Sequence, residues 1–265
     1  SDAVSYSVVV SNSTSSVTSS NATLTVLAIE DFYRLTPLWS TATNAQPYFT
    51  ITGGSGNTPN QRNLAYNSAS NHLYVVSRGG SATSNFNVYV IDADTGAQLY
   101  TLNTNGSNFT GFAGQIGLVA IDVADDGSIY ACNVALAGDW KLYRWADGNS
   151  NTVPEMVFNG DPFGSATTIR WGDVMDVRGG RTNTQIMIDA QQSASPFFAI
   201  FRPTDASLTA FTPVVFSGPA NGTPVGRSLQ FGVGDTIWQK RFSSTILSHS
   251  SFDLEAPFSA APLIG

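Results

Sequence analysis

Cysteine, lysine and histidine are nearly missing from this 265-residue chain. Cys132 is its one cysteine, so no disulfide can form within it. Lys141 and Lys240 are its two lysines, charged residues make up 12%, and the net charge is −7. No basic patch is available to displace counterions from a phosphate backbone, which argues against nucleic acid as a partner. His72 and His249 lie in no recognisable motif. Cys132 therefore lacks the partner that a nucleophile or metal centre requires, and it reads as a small buried hydrophobe. No Gly-x-Ser-x-Gly elbow occurs, so no Ser-His-Asp set is supported. No apolar run reaches the ~18 residues of a membrane span, and no signal peptide or sorting tail is evident. No stretch sustains helical periodicity, so no glycine loop leads into a helix that would hold a phosphate. No cofactor is expected.

What is abundant is Ser, Thr, Asn and Gly among short β-rich runs. The clearest stretch is Arg62–Leu102. Its segments RNLAY, HLYVVSR, FNVYVIDADTG and AQLYTL are four strands with turn residues between them, matching one blade of a β-propeller. The pattern recurs, with first strands beginning near Arg62, Leu118, Gly172 and Arg227, a period of about 55 residues. Second strands are HLYVVSR, SIYACNV, QIMIDAQ and TIWQKRF; third strands are NVYVIDADTG, WKLYRWADG, PFFAIFRPTD and ILSHSSFD. Fourth strands are LYTL, EMVF and PVVF, and the fourth copy shows none. The expected fold is all-β: a β-propeller with four recognisable blades over residues 62–265, preceded by a lead-in over 29–61 and a β-hairpin over 1–28. Leu38–Trp39 in the lead-in is a candidate strand to close the ring; alternatively the chain runs partway round a larger ring. Raw sheet edges would then favour association.

In the hairpin, Tyr6–Val10 and Ala22–Val26 flank a Ser/Thr/Asn connection. Asp2, Ala3 and Tyr6, then Val10, Ser11 and Asn12, then Thr23 to Val26 resemble the last two strands of an immunoglobulin-like domain, with Val8 at the usual cysteine position. Two such strands cannot bury their apolar face alone. They must pack on the rest of the chain, on a neighbour by strand addition, or on the remainder of a longer protein.

ASNHLYVVSRGG, VYVIDADTGAQL and ADDGSIYACN resemble exported bacterial propellers of the YVTN/NHL-like type. The order of an Ig-like end, RLTPLWS, RNLAYN and VYVIDADTG is similar to a family of large secreted proteins of environmental bacteria, in which Ig-like modules join a propeller-like domain of unknown function. The resemblance implies no catalytic residues. It implies an extracellular or cell-surface location, which a Cys-poor, Lys-poor chain suits.

Each candidate site also has a structural role open to it. Arg62, Arg170 and Arg227 sit near the starts of first strands, which line a propeller channel. Together they can bind a carboxylate or sulfate ligand such as an acidic polysaccharide, or each can bond carbonyls of an adjacent blade. Asp122, Asp173 and Asp176 can serve as facing acids or pair with backbone N–H groups. Of Trp39, Trp140, Trp145, Trp171 and Trp238, Trp140 follows AGD in an expected loop and is the best candidate to stack on a sugar ring; Trp145 and Trp238 read as core. Asp92–Gly96 and Ala124–Ser128 read as turns, since the later ligands of a calcium loop are missing. The sequons at Asn12, Asn21, Asn105, Asn108 and Asn221 matter only in a eukaryotic secretory pathway. The leading expectation is a non-enzymatic structural or adhesion protein, a self-associating filament or surface-layer subunit that uses the hairpin. A carbohydrate-binding propeller and a glycan lyase or hydrolase are the alternatives.

Overall fold

The computed structural model describes residues 5–23, 36–52, 58–77, 86–105, 116–136, 139–164, 169–191, 197–217, 228–240, 247–255 and 261–264. It divides into two units, Ser1–Leu38 and Trp39–Gly265. The fold is all-β, and no α-helix occurs among the described residues.

In the first unit, β1 (Ser5–Tyr6) pairs with β4 (Ala22–Thr23), and β2 (Val9–Ser11) pairs with β3 (Ser16–Thr18). The Ser/Thr connection is thus itself a strand, and the hairpin is longer than its apolar runs suggest. Its tip is closed by the Asn12 side chain, whose Oδ1 accepts from the amides of Thr14 and Ser15, both at 2.8 Å. This is the side-chain turn that asparagine favours. Registers Tyr6↔Ala22 and Val9↔Thr18 set two residues against three, a β-bulge on the return arm. Val8 N donates to Ser19 Oγ there.

The second unit opens with a short ladder, β5 (Ile51–Thr52) on β6 (Thr58–Pro59). Four antiparallel sheets follow. Sheet I holds β7 (Gln61–Asn67), β8 (His72–Ser77), β9 (Asn87–Asp92) and β10 (Gln98–Thr101). Sheet II holds β11 (Ile116–Val123), β12 (Ile129–Val134), β13 (Trp140–Trp145) and β14 (Glu155–Gly160). Sheet III holds β15 (Arg170–Arg178), β16 (Gln185–Gln191), β17 (Phe197–Pro203) and β18 (Phe211–Ser217). Sheet IV holds β19 (Leu229–Phe231), β20 (Thr236–Lys240), β21 (Leu247–Ser251) and β22 (Ala261–Ile264). Each sheet is a simple meander of consecutive strands.

Two expectations are corrected. The fourth copy does have a fourth strand, β22, which carries Pro262 and lies at the sheet edge, where a residue without an N–H is tolerated. Leu38–Trp39 is not a strand. Trp39 instead docks on the turn between β9 and β10, with Nε1 donating to Ala93 O at 2.8 Å and the indole lying over Gly96. Tyr48 OH donates to Gly96 O at 2.6 Å beside it. Gly96 has φ +72°, and a Cβ there would meet the indole at 2.5 Å. Glycine is required on both counts.

Strand alternation gives sheets II and III two buried apolar faces each, and the sheets stack face to face. The forward face of sheet I (Ala65, Tyr74, Val76, Val88, Val90) packs on the rear face of sheet II (Ile121, Ile129, Ala131, Tyr143, Trp145). The forward face of sheet II (Ala120, Tyr130, Cys132, Leu142) packs on Met175, Ile186, Ile188 and Phe201 of sheet III. Met187, Phe198, Ile200 and Phe216 of sheet III pack on Leu229 and Ile237 of sheet IV. Adjacent first strands lie side by side: β7 beside β11, β11 beside β15, β15 beside β19. Among the described residues β19 does not pair back onto β7, and no closed barrel forms.

Candidate functional site

The first strands meet along the seams between sheets, and the acidic residues collect there. Asp122 pairs in register with Tyr130, and Asp176 with Met187, at the same position of their sheets. Both point forward. Asp122 Oδ2 accepts from Val177 N at 2.8 Å, and Asp176 Oδ2 accepts from Phe231 N at 2.6 Å, each 55 residues further on. Asp122 Oδ1 also accepts from Val123 N at 2.8 Å. These carboxylates fasten one sheet to the backbone of the next. Burial raises Asp122 to about 6, opposed by its two amide bonds and assisted by the charge of Asp176. Burial also raises Asp176, against the amide bond from Phe231. A buried acid beside a second acid is held partly protonated.

The seam continues outward. Asp125 N donates to Gly179 O at 2.8 Å, and Asp126 Oδ2 accepts from Arg181 N at 2.9 Å. Arg178 carries the next seam, with its guanidinium bonded to Gln185 Oε1, to Gly234 O and to Asp235 Oδ1. Its Cζ lies 4.3 Å over the Phe231 ring, a cation–π contact. Sheets I and II are joined differently, because Ala65 stands where Asp122 and Asp176 do. There Tyr100 OH donates to Gly148 O at 2.9 Å, and Trp145 Nε1 donates to Asn103 O at 2.8 Å.

Of the arginine set, Arg62 and Arg170 fall within the described residues. Arg170 is engaged by Asp173 on its own strand, both oxygens accepting at 2.5 Å from Nε and from the terminal NH2. That bond raises the Arg170 pKa against desolvation. Arg62 is half-buried on β7, its pKa lowered by burial, and its Nε has no hydrogen-bond partner among the described residues. Arg227 lies outside the described residues. Trp140 is corrected: it opens β13 rather than a loop, is fully buried, and packs 4.8 Å from Phe201. It cannot stack on a sugar. Trp145 and Trp171 are likewise fully buried. Trp238 is half-buried and stacks on His249 at 4.1 Å.

Sequence reasoning missed Asp189. In β11 and β15 the register slips by two residues. Gly172–Val174 face Asp189 alone, and Gly117–Val119 face Asn133 alone. Asp189 Oδ1 accepts from Val174 N at 2.8 Å inside its bulge. Its Oδ2 has no hydrogen-bond partner among the described residues, and burial lifts it to about 8, aided by Asp173. Burial therefore favours its protonated form. Asn133, opposite the second bulge, turns the other way, its Oδ1 accepting from Lys141 N of β13 at 2.7 Å. The sequence signal was a lone polar residue in an otherwise apolar strand. Cys132, beside Asp189, is buried, and burial raises its thiol pKa. That is an inert thiol.

The acidic turns are turns. Asp92 Oδ1 accepts from Asp94 N, Thr95 N and Thr95 Oγ1, and these bonds lower its pKa. Among the described residues no three His, Cys, Asp or Glu side chains gather to hold a metal. No described helix is long and apolar enough to cross a membrane.

No model of a known protein family matches the chain, and no curated protein does. Solved structures do. A DUF4623 family protein from Bacteroides eggerthii is 15% identical, with a TM-score of 0.52, over 77% of this chain and 44% of its own. A protein from Lactobacillus plantarum is 13% identical, with a TM-score of 0.48, over 80% of this chain and 57% of its own. The chain spans about half the length of these bacterial structures. The first likeness is one of fold alone.

Proposed function

We propose that this chain is a non-enzymatic structural protein of the bacterial exterior, built as a β-propeller-type stack of four blades with an Ig-like hairpin, and that it associates with copies of itself through the hairpin. The observation that carries this reading is the hairpin surface. Val8, Val9, Val10 and Val17 are 61–71% exposed, on both faces of a two-stranded ribbon. Such a ribbon is marginal alone and offers unpaired edges for strand addition. The blade reading is supported by successive meanders stacked face to face with their first strands adjacent. The seam carboxylates have structural partners, which weakens an acid/base reading of Asp122 and Asp176. The burial of Trp140 and the Asp173 bond of Arg170 remove contacts on which glycan binding would draw.

The test is sedimentation velocity over a concentration series with a V10E/V17K variant. These residues are directly opposed, so the opposite charges preserve the hairpin while removing the apolar pair they form on one face. About tenfold weaker association is expected. A wild-type chain that stays monomeric at every concentration, or association unchanged in the variant, overturns the proposal.

A further inference from the structure

The four sheets share one register, which allows equivalent positions to be compared. Leu64, Ile121, Met175 and Leu229 are opposed to Val75, Ala131, Ile188 and Gln239, and all lie on rear faces. Ile121, Met175 and Leu229 are 2–5% exposed because the preceding sheet covers them, whereas Leu64 is 56% exposed. One step along, Tyr66 matches Val123, Val177 and Phe231 and is 52% exposed. Leu73 and Val75 are half-buried, while Ile129, Ile186 and Ile237, Ala131 and Ile188 are fully buried. Sheet I thus presents the same apolar surface that sheets II and III cover with a neighbour.

The other end of the stack offers the complement. On forward faces Tyr74, Tyr130 and Met187 are equivalent and fully buried against the next sheet. Trp238 holds that position in sheet IV, half-buried and backed by His249. Gln230 stands where Asp122 and Asp176 stand, opposite Trp238 as they are opposite Tyr130 and Met187. Those aspartates accept the backbone N–H of Val177 and Phe231, and the equivalent donor on sheet I is Tyr66 N.

We propose that two copies of this chain join head to tail, the forward face of sheet IV on one seated on the rear face of sheet I on the other. Trp238 covers Leu64 and Leu73, and the Gln230 amide oxygen accepts from Tyr66 N. The proposal rests on the self-association reading but places a second contact away from the hairpin. The contact is heterologous, so copies close into a ring or extend as a chain.

The test mixes two single-cysteine additions, Q230C and Y66C, under mild oxidation. Cys132 is buried and does not interfere. A disulfide-linked dimer is expected in the mixture and not in either variant alone, because each variant alone carries one half of the proposed pair. L64E is expected to weaken association about tenfold, without unfolding, as the side chain is already exposed. No covalent dimer in the mixture, or equal cross-linking of each variant alone, overturns the proposal and leaves the face to a sheet outside this chain. Cross-linking that persists in V10E/V17K separates this contact from the hairpin. Association lost in V10E/V17K without any Q230C–Y66C product overturns this contact and leaves the hairpin reading standing.

Discussion

Replacing Asp122 with asparagine should reverse its effect on stability between acid and neutral pH. Asp122 is pushed from an ordinary value of 3.8 to about 6 by burial at the seam between sheets II and III. A raised carboxyl binds its proton more tightly in the folded state. Its contribution is therefore fully present below the ordinary carboxyl range and is lost as pH rises through about 6. Full ionisation of a carboxyl shifted this far costs roughly 3 kcal/mol, an upper bound because Asp176 shares the proton. Asparagine resembles the neutral acid and avoids this cost. It has one oxygen, so it keeps the Val177 amide and loses the bond from Val123, about 1 kcal/mol. The variant should match wild type near pH 4.5 and exceed it by up to ~2 kcal/mol at pH 7, with no further gain above that. Urea titrations followed by tryptophan fluorescence at a series of pH values measure the difference, and the background of other acids cancels. A variant less stable than wild type at pH 7, or a difference that does not move with pH, would refute the reasoning.

Two further outcomes follow from the bulges. D189N should remove a second pH dependence. Wild type loses stability as pH rises from the carboxyl range through about 8, and the gap to the variant should stop widening there. A flat gap in the same titration counts against a protonated Asp189. G172A should be severely destabilising. Gly172 has φ +89°, and a Cβ would lie 2.3 Å from Trp140 Nε1 and 2.6 Å from Asn133 O. Strain and collision together cost on the order of 3 kcal/mol, a fall in melting temperature of about 6–12 °C by calorimetry. A change under about 1 °C would show that the backbone relaxes freely.

The strands of sheets I to III were legible because alternation with period two leaves a strong signal in sequences such as HLYVVS and IYACNV. The hairpin return Ser16–Thr18 was not, since a polar two-sided strand carries no such signal. The fourth strand of sheet IV was hidden by Pro262, which reads as a breaker until an edge position is known. Trp140 was misread because a turn before it suggested exposure, whereas the face it takes is set by the strand that follows. Of the site, Asp122 and Asp176 stood out as candidate facing acids, but their partners are backbone amides. An amide leaves no mark in a sequence, so the carboxylates were legible and the bonds they make were not. Asp189 depends on a two-residue register slip, which local patterning does not encode.

The seam bonds of Asp122 and Asp176 have a consequence for how such a chain evolves. Their donor belongs to the main chain, and every residue except proline supplies it; here valine does so once and phenylalanine once. A repeat unit bearing the aspartate carries its own fastener and makes no demand on the identity of its neighbour. Units of this kind can be duplicated, exchanged and left to diverge while each remains attached to whatever follows. Low resemblance between copies is what that tolerance would leave behind.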